Sequence, residues 1–257
     1  MNDQLATLQD LTLTFERRLS APVDRVWRAV TDENEMRAWF PSAVQGERKI
    51  GAPLRFPFDD NVADTFEGEV IEWDPPRVFA FTWNGDQLRI ELTERDGGTD
   101  LVFTHRLPDR SSAPRTASGW HTCLANLSAH FGGPAVPADL WRTQYPRYLE
   151  PMGPPLGEPS AAGSMTWART HFRSPDEIRD AFAAFAGGDA TIAVDRAGDV
   201  STFTVTVPGA GRDAAKAAAW HRRLLELDML LSTGEPFAVE RDFTPDYERV
   251  LADAEVR

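Results

Sequence analysis

A chain of 257 residues is long enough for one large or two smaller domains, and 15 Phe with 8 Trp can fill a sizeable core. The formal charge is −13 and both halves are acidic, which argues against nucleic acid or an anionic membrane as partner. Cys123 is the sole cysteine, so no intrachain disulfide can form; with no apolar signal-like run and no segment of membrane-spanning length, the chain reads as soluble and cytoplasmic, without membrane insertion.

Residues 11–19 alternate, with Leu11, Leu13, Phe15, Arg17 and Leu19 on one side, which predicts a strand with one buried face. Ser20-Ala-Pro-Val-Asp opens a helix with Pro22 near its start and Val26, Trp27 and Val30 on its apolar side. A shorter helix over 33–40 is anchored by Met36, Trp39 and Phe40 and stops before Pro41. A meander follows: strands over 52–58, 65–71, 77–83 and 87–94, separated by turn signals at Asp59-Asp60-Asn61, Asp74-Pro75-Pro76 and Asn84-Gly85-Asp86. Each strand turns one apolar row inward, such as Phe79, Phe81 and Trp83, or Leu88, Ile90 and Leu92.

Residues 98–132 complete this first unit. Leu101, Phe103, His105 and Leu107 share a strand face. A polar loop holds Pro108 and Pro114. A helix then carries Trp120, Cys123, Leu124 and Leu127 at helical spacing and ends at Gly132-Gly133. An antiparallel sheet with one apolar face needs a cover, and this helix is the cover.

The pattern returns later in the chain. Phe203-Thr204, Val207-Pro208, Trp220-His221, Leu224 and Leu227 repeat Phe103-Thr104, Leu107-Pro108, Trp120-His121, Leu124 and Leu127 at an offset of 100. Met165-Thr-Trp-Ala-Arg repeats Leu13-Thr-Phe-Glu-Arg at an offset of 152, so about 52 residues of the meander have no counterpart. Residues 243–251 repeat the short amphipathic helix 141–149 at an offset of 102. The expected organisation is a first domain over 1–151, a Pro/Gly-rich linker over 152–163, and a shortened repeat over 164–257. That repeat would pack on the first domain or on another chain, the latter giving a homodimer.

The motifs SAPVDRVWRAVTDENEMRAWF, FEGEVIEWDPPRVFAFTW, GGTDLVFTHRLPD and ASGWHTCLANLSAHFGG, in that order, resemble the START-like helix-grip (SRPBCC) superfamily. More narrowly they resemble domains named for activators of the heat-shock-protein-90 ATPase. The resemblance covers about residues 11–151. It implies an α+β fold: a curved antiparallel sheet gripping a long C-terminal helix over an apolar cavity, here followed by a truncated helix-grip-like α+β domain. Members bind lipids, hormones or polyketides, and some are cyclases or hydrolases. The founding chaperone activator also relies on a separate preceding domain, and chaperone activation is not expected here.

The inward row and the resemblance together nominate Trp39, Phe40, Phe66, Phe79, Phe81, Trp83, Phe103, His105, Trp120 and Leu124 as lining for a small apolar ligand. No cofactor is called for, and His105, His121, His130, His171 and His221 show no metal-ligand spacing. Two catalytic candidates stand out. His105 turns inward, as a ligand-orienting group, a base or a strand-end histidine bonded to backbone or water; Arg17 alternates inward yet sits where strand-end exposure is expected. The alternative to ligand binding is thus a cyclase- or hydrolase-type enzyme using His105 with Arg17, or an interaction module acting through the second domain. In Trp120-His121 and Trp220-His221 the Trp is expected to pack and the His to be more exposed. Cys123 is expected to be inert.

Overall fold

The structure is a computed structural model that describes residues 4–58, 61–153, 155–185, 188–198, 200–235 and 238–255. It divides into two compact units, Met1–Gly153 and Pro154–Arg257.

The first unit contains strands β1 (Thr7–Gln9), β2 (Thr12–Leu19), β3 (Pro53–Phe58), β4 (Asn61–Asp74), β5 (Val78–Trp83), β6 (Asp86–Arg95) and β7 (Gly98–Arg106). They form one antiparallel sheet in the order β1-β2-β7-β6-β5-β4-β3. Between β2 and β3 come α1 (Val23–Thr31) and α2 (Glu33–Met36); after β7 come α3 (Ala113–His130) and α4 (Leu140–Met152). Alternation makes the sheet one-sided: Leu13, Phe15 and Leu19, then Phe79 and Phe81, then Leu88, Ile90 and Leu92 are all buried. Ala117, Trp120, Leu124 and Leu127 of α3 join that core, so α3 is the cover and the fold is the helix grip. The break between α1 and α2 is a cap. Asp32 leaves helical geometry and its carboxylate accepts from the Asn34 and Glu35 amides at 3.0 and 3.1 Å.

Three local expectations change. Leu11 is a turn residue rather than a strand residue. With Asp10 it forms the two-residue loop between Gln9 and Thr12, both at positive φ (46° and 63°), and β1 is an extra strand. Pro114 lies in the first turn of α3, where a missing N–H costs nothing, rather than in the loop before it. Strand β4 is longer than its apolar run, and a register shift between Val70 and Glu72 leaves Ile71 on the surface. The turn expected at Asp59-Asp60-Asn61 falls partly outside the described residues; Asn61 itself belongs to β4. Gly68 of β4 lies so close to β5 that a Cβ there would meet the Thr82 carbonyl oxygen.

The second unit holds β8 (Glu158–Pro159), β9 (Met165–His171), α5 (Pro175–Phe185), β10 (Thr191–Ala197), β11 (Val200–Val207), α6 (Ala214–Thr233) and α7 (Thr244–Glu255). Part of the stretch read as linker is therefore structured, because Glu158 and Pro159 pair with Thr166 and Met165. The four strands run β8-β9-β11-β10, the same order as β1-β2-β7-β6. Counterparts of β3, β4 and β5 do not occur among the described residues.

Leu127 is 1% exposed on the inner face of α3, whereas Ile50 is 63% exposed. Leu127→Ala should cost about 2–5 kcal/mol in urea unfolding and Ile50→Ala close to nothing. Equal costs would refute the docking of α3 on the sheet.

Candidate functional site

The ten side chains nominated for ligand lining come together in one group. Phe40 is its hub, with ring centroids at 5.6 Å from Trp39, 6.0 Å from Phe81, 5.8 Å from Trp83 and 5.4 Å from Trp120. Phe103 lies 4.5 Å from Trp120, Phe79 4.8 Å from Phe81 and Phe66 5.6 Å from Trp83. Leu124 shares the same core on α3. Most of these rings are fully buried. Phe66, Trp83 and the neighbouring Phe58 are half-buried and form the rim. The Trp39 indole donates to the Ala29 carbonyl at 3.0 Å. By contrast, the buried Nε1 of Trp83 has no hydrogen-bond acceptor among the described residues. Leaving such a donor unsatisfied costs about 1–3 kcal/mol.

His105 sits at one end of this group in a defined protonation pattern. Trp120 Nε1 donates to its Nδ1 at 2.7 Å, so Nδ1 is the acceptor and the proton lies on Nε2, which donates to the Asp86 carboxylate at 2.9 Å. Both ring nitrogens are engaged, and the His105 side chain is 2% exposed. The arrangement orients Trp120. It offers no free nitrogen to take a proton from a bound molecule. Asp86 was legible only as a turn residue, yet it is two positions before Leu88, which pairs with His105, so it shares the face to which His105 belongs.

Arg17 is elsewhere. It is buried (7% exposed), not exposed at a strand end, and its Nη1 donates to the carbonyls of Gln4 and Glu16 at 3.2 and 2.8 Å. Its register partner on β7 is Leu101, four residues from His105, which is about 13 Å of strand rise. Arg17 lines a separate cavity together with His121.

His121 and His221 are buried as well, against the expectation of exposure. The His121 Nδ1 and Tyr148 Oη are 2.9 Å apart, and Tyr148 Oη accepts from the Ala6 amide at 3.2 Å. The second unit repeats this lock: His221 Nδ1 is 2.8 Å from Tyr247 Oη, which accepts from the Gly157 amide at 2.9 Å and from Trp167 Nε1 at 2.5 Å. Two donors fill the lone pairs of Tyr247, so its own proton goes to His221 Nδ1 and the imidazole is neutral. Burial also raises the Tyr247 phenol above its ordinary value. The equivalence Tyr148/Tyr247 gives the last helix an offset of 99, not the 102 of the sequence match. The signal missed was a tyrosine one helix downstream of each Trp-His pair. Cys123 is half-buried, and desolvation pushes its thiol up to about 12, leaving it protonated and unreactive at neutral pH.

Residues 20–132 match the family model described as Activator of Hsp90 ATPase homolog 1-like protein. This stretch is a domain of that family. The crystal structure of CalU16 from Micromonospora echinospora is 21% identical over 58% of this chain and 97% of its own, with a TM-score of 0.48. A protein from Bordetella parapertussis is 27% identical over 57% of this chain and 89% of its own, at 0.46. The Aha1 dimer from Colwellia psychrerythraea is 15% identical over 47% of this chain and 95% of its own, at 0.41. No curated protein matches the chain. The Activator of Hsp90 ATPase homolog 1-like domain thus supplies the helix grip and its aromatic group, a fold commonly used to bind ligands. No helix among the described residues is long and apolar enough to cross a membrane.

Desolvation, with Arg169 and Arg241 nearby, holds the His221 imidazole well below its ordinary 6.5. The unfolded chain therefore binds a proton there that the folded chain does not. The resulting stability is complete above about 6.5 and is lost as pH falls below it. Melting temperature should drop between about pH 7 and about pH 5, and His221→Gln should flatten that slope. An identical slope in the variant would reject the assignment.

Proposed function

We propose that the first unit binds a small apolar molecule between its sheet and α3, and that the second unit is a shortened copy of the same fold without that site. The Trp83 indole carries the reading. It lies at the rim of the aromatic group, half-exposed, with a buried N–H that has no acceptor among the described residues. A largely hydrocarbon molecule bearing one carbonyl or ether oxygen would satisfy that donor while its body packs on Phe66 and Phe40. The copy reading is supported by the common strand order and by the repeated His–Tyr lock.

Nile red, a neutral dye with a carbonyl acceptor, is the test. The chain should bind it saturably and blue-shift its emission. Trp83→Phe should weaken binding about tenfold, corresponding to about 1.4 kcal/mol for the lost donor. Absence of displaceable dye binding by the wild-type chain would sink the reading.

A self-association role for the second unit rests on one observation. β10 is the edge of its sheet, whereas β6, at the same place in the order, is flanked by β5. An open edge pairs readily with its own copy. Light scattering should report a homodimer for the full chain, and Ala193→Lys with Asp195→Lys on the exposed positions of β10 should return it to monomer. A wild-type monomer at working concentrations would end this role.

A further inference from the structure

A second cavity in the first unit lies apart from the aromatic group. Its volume is about 790 Å3, and its walls are the end of β2, the C-terminal half of α3, residues 131–137 and the start of α4. None of the ten nominated aromatic-site residues lines it. It falls in the size range of small-molecule sites, about 300–1,000 Å3.

The charged groups around it are already committed. Arg17 donates to the Gln4 and Glu16 carbonyls, and its guanidinium lies 5.5 Å from the centre of the Phe15 ring. Arg18 donates to the Asp100 carboxylate at 3.0 Å and to the Arg95 carbonyl. His121 meets Tyr148 Oη at 2.9 Å. Among the described residues, no Asp or Glu lines the cavity. A cation would find no counter-ion there, and an anion would have to displace bonds that the two arginines already make. The occupant that fits is neutral.

One polar group is left over. Gln144 is 6% exposed and lines the cavity from α4. Its Oε1 accepts from Arg147 Nη1 at 2.8 Å, which assigns the other amide atom as the nitrogen. That Nε2 has no acceptor among the described residues, so an amide with two N–H donors borders the cavity. Leu19, Ala125, Phe131, Val136 and Leu140 supply the hydrocarbon wall. A donor set in such a wall selects a molecule with one acceptor on an apolar body.

The second unit carries a different residue in this place. Phe243 stands four residues before Tyr247, as Gln144 stands four before Tyr148. The Phe243 ring is buried and its centroid lies 4.4 Å from that of the His221 imidazole. There the chain's own hydrocarbon sits against the histidine, where the first unit has an amide.

We propose that this cavity binds a small neutral molecule with one carbonyl on a hydrocarbon chain. The carbonyl accepts from Gln144 Nε2, and the chain lies against Leu19, Phe131 and Leu140. Neither this site nor the aromatic one requires the other.

NMR titration of the isotope-labelled full chain with methyl hexyl ketone is the test, read at the Gln144 side-chain amide and at the Leu140 methyls. The ketone should shift both saturably, and octanoate and octylamine should do so at least tenfold more weakly. Gln144→Leu, which keeps the bulk and removes the donor, should weaken the ketone about tenfold at the Leu140 methyls. Leu140→Trp, which fills the apolar end, should abolish saturation at the Gln144 amide with the melting temperature retained. Trp83→Phe should leave both readouts unchanged while weakening Nile red, which separates this site from the aromatic one. Four results would each overturn the proposal: no saturable shift at millimolar ketone, equal affinity for octanoate or octylamine, undiminished binding in both Gln144→Leu and Leu140→Trp, or loss of the shifts in Trp83→Phe.

Discussion

The Trp120 indole is the contact on which the first unit depends. Its ring lies against Phe103, Phe40 and Trp83, and its N–H is buried with them. A buried donor demands an acceptor, and in an apolar seam the acceptor must come from the sheet. His105 provides it, and the other nitrogen of His105 then has to be met by Asp86 at the start of β6. Three residues from α3, β7 and β6 are thus linked through two hydrogen bonds. Apolar packing alone would tolerate small slides of a helix over a sheet. This chain of partners fixes both the rotation of α3 and its height on the strands.

A second polar constraint acts on the opposite flank of α3. Tyr148 takes the Ala6 amide, which precedes the edge strand β1, and meets His121 on α3. One hydroxyl therefore joins the N-terminal strand, the long helix and the last helix of the unit. In the second unit Tyr247 makes the same junction between the segment before β8, α6 and α7. The junction needs nothing from β3, β4 or β5, so it persists where those strands have no counterpart. The aromatic group does need them: Phe56, Phe66, Phe81 and Trp83 come from β3, β4 and β5. The second unit has the tyrosine junction and, among the described residues, no counterpart of these aromatic strands.

Much of the architecture was legible because one-sided burial imposes a period on the sequence. The inward rows of β5, β6 and β7 and the stripe of α3 follow directly from alternation and helical spacing, whereas β8, the fourth strand of the second sheet, lies in the stretch read as linker. What alternation could not show was polar pairing. Asp86 reads as a turn residue because its partner is on another strand. Arg17 reads as a strand-end residue because alternation does not show that its guanidinium is held by the Gln4 and Glu16 carbonyls over the Phe15 ring. His121 and His221 read as exposed beside a packing Trp because the tyrosine that buries each of them lies 27 and 26 residues downstream. Leu11 is hydrophobic and in phase with β2, yet it serves the turn, since hairpin geometry rather than polarity decides who occupies positive φ.

Adjacent residues on α3 face the two flanks. Trp120 and His121 are about 100° apart around the helix axis, so one looks toward the aromatic group and the other toward the Arg17 cavity. The flanks differ in physical character. On the Trp120 side the neighbours are rings, and the Trp120 and His105 nitrogens are met in sequence by His105 and Asp86. On the His121 side the buried Arg17 guanidinium donates to backbone carbonyls and lies near Leu19 and Phe131. The position of this one helix is thus fixed by Trp120 on one side and by His121 on the other. The second unit keeps the His–Tyr contact of that flank, at His221 and Tyr247, in a sheet that has no counterparts of β3, β4 and β5 among the described residues.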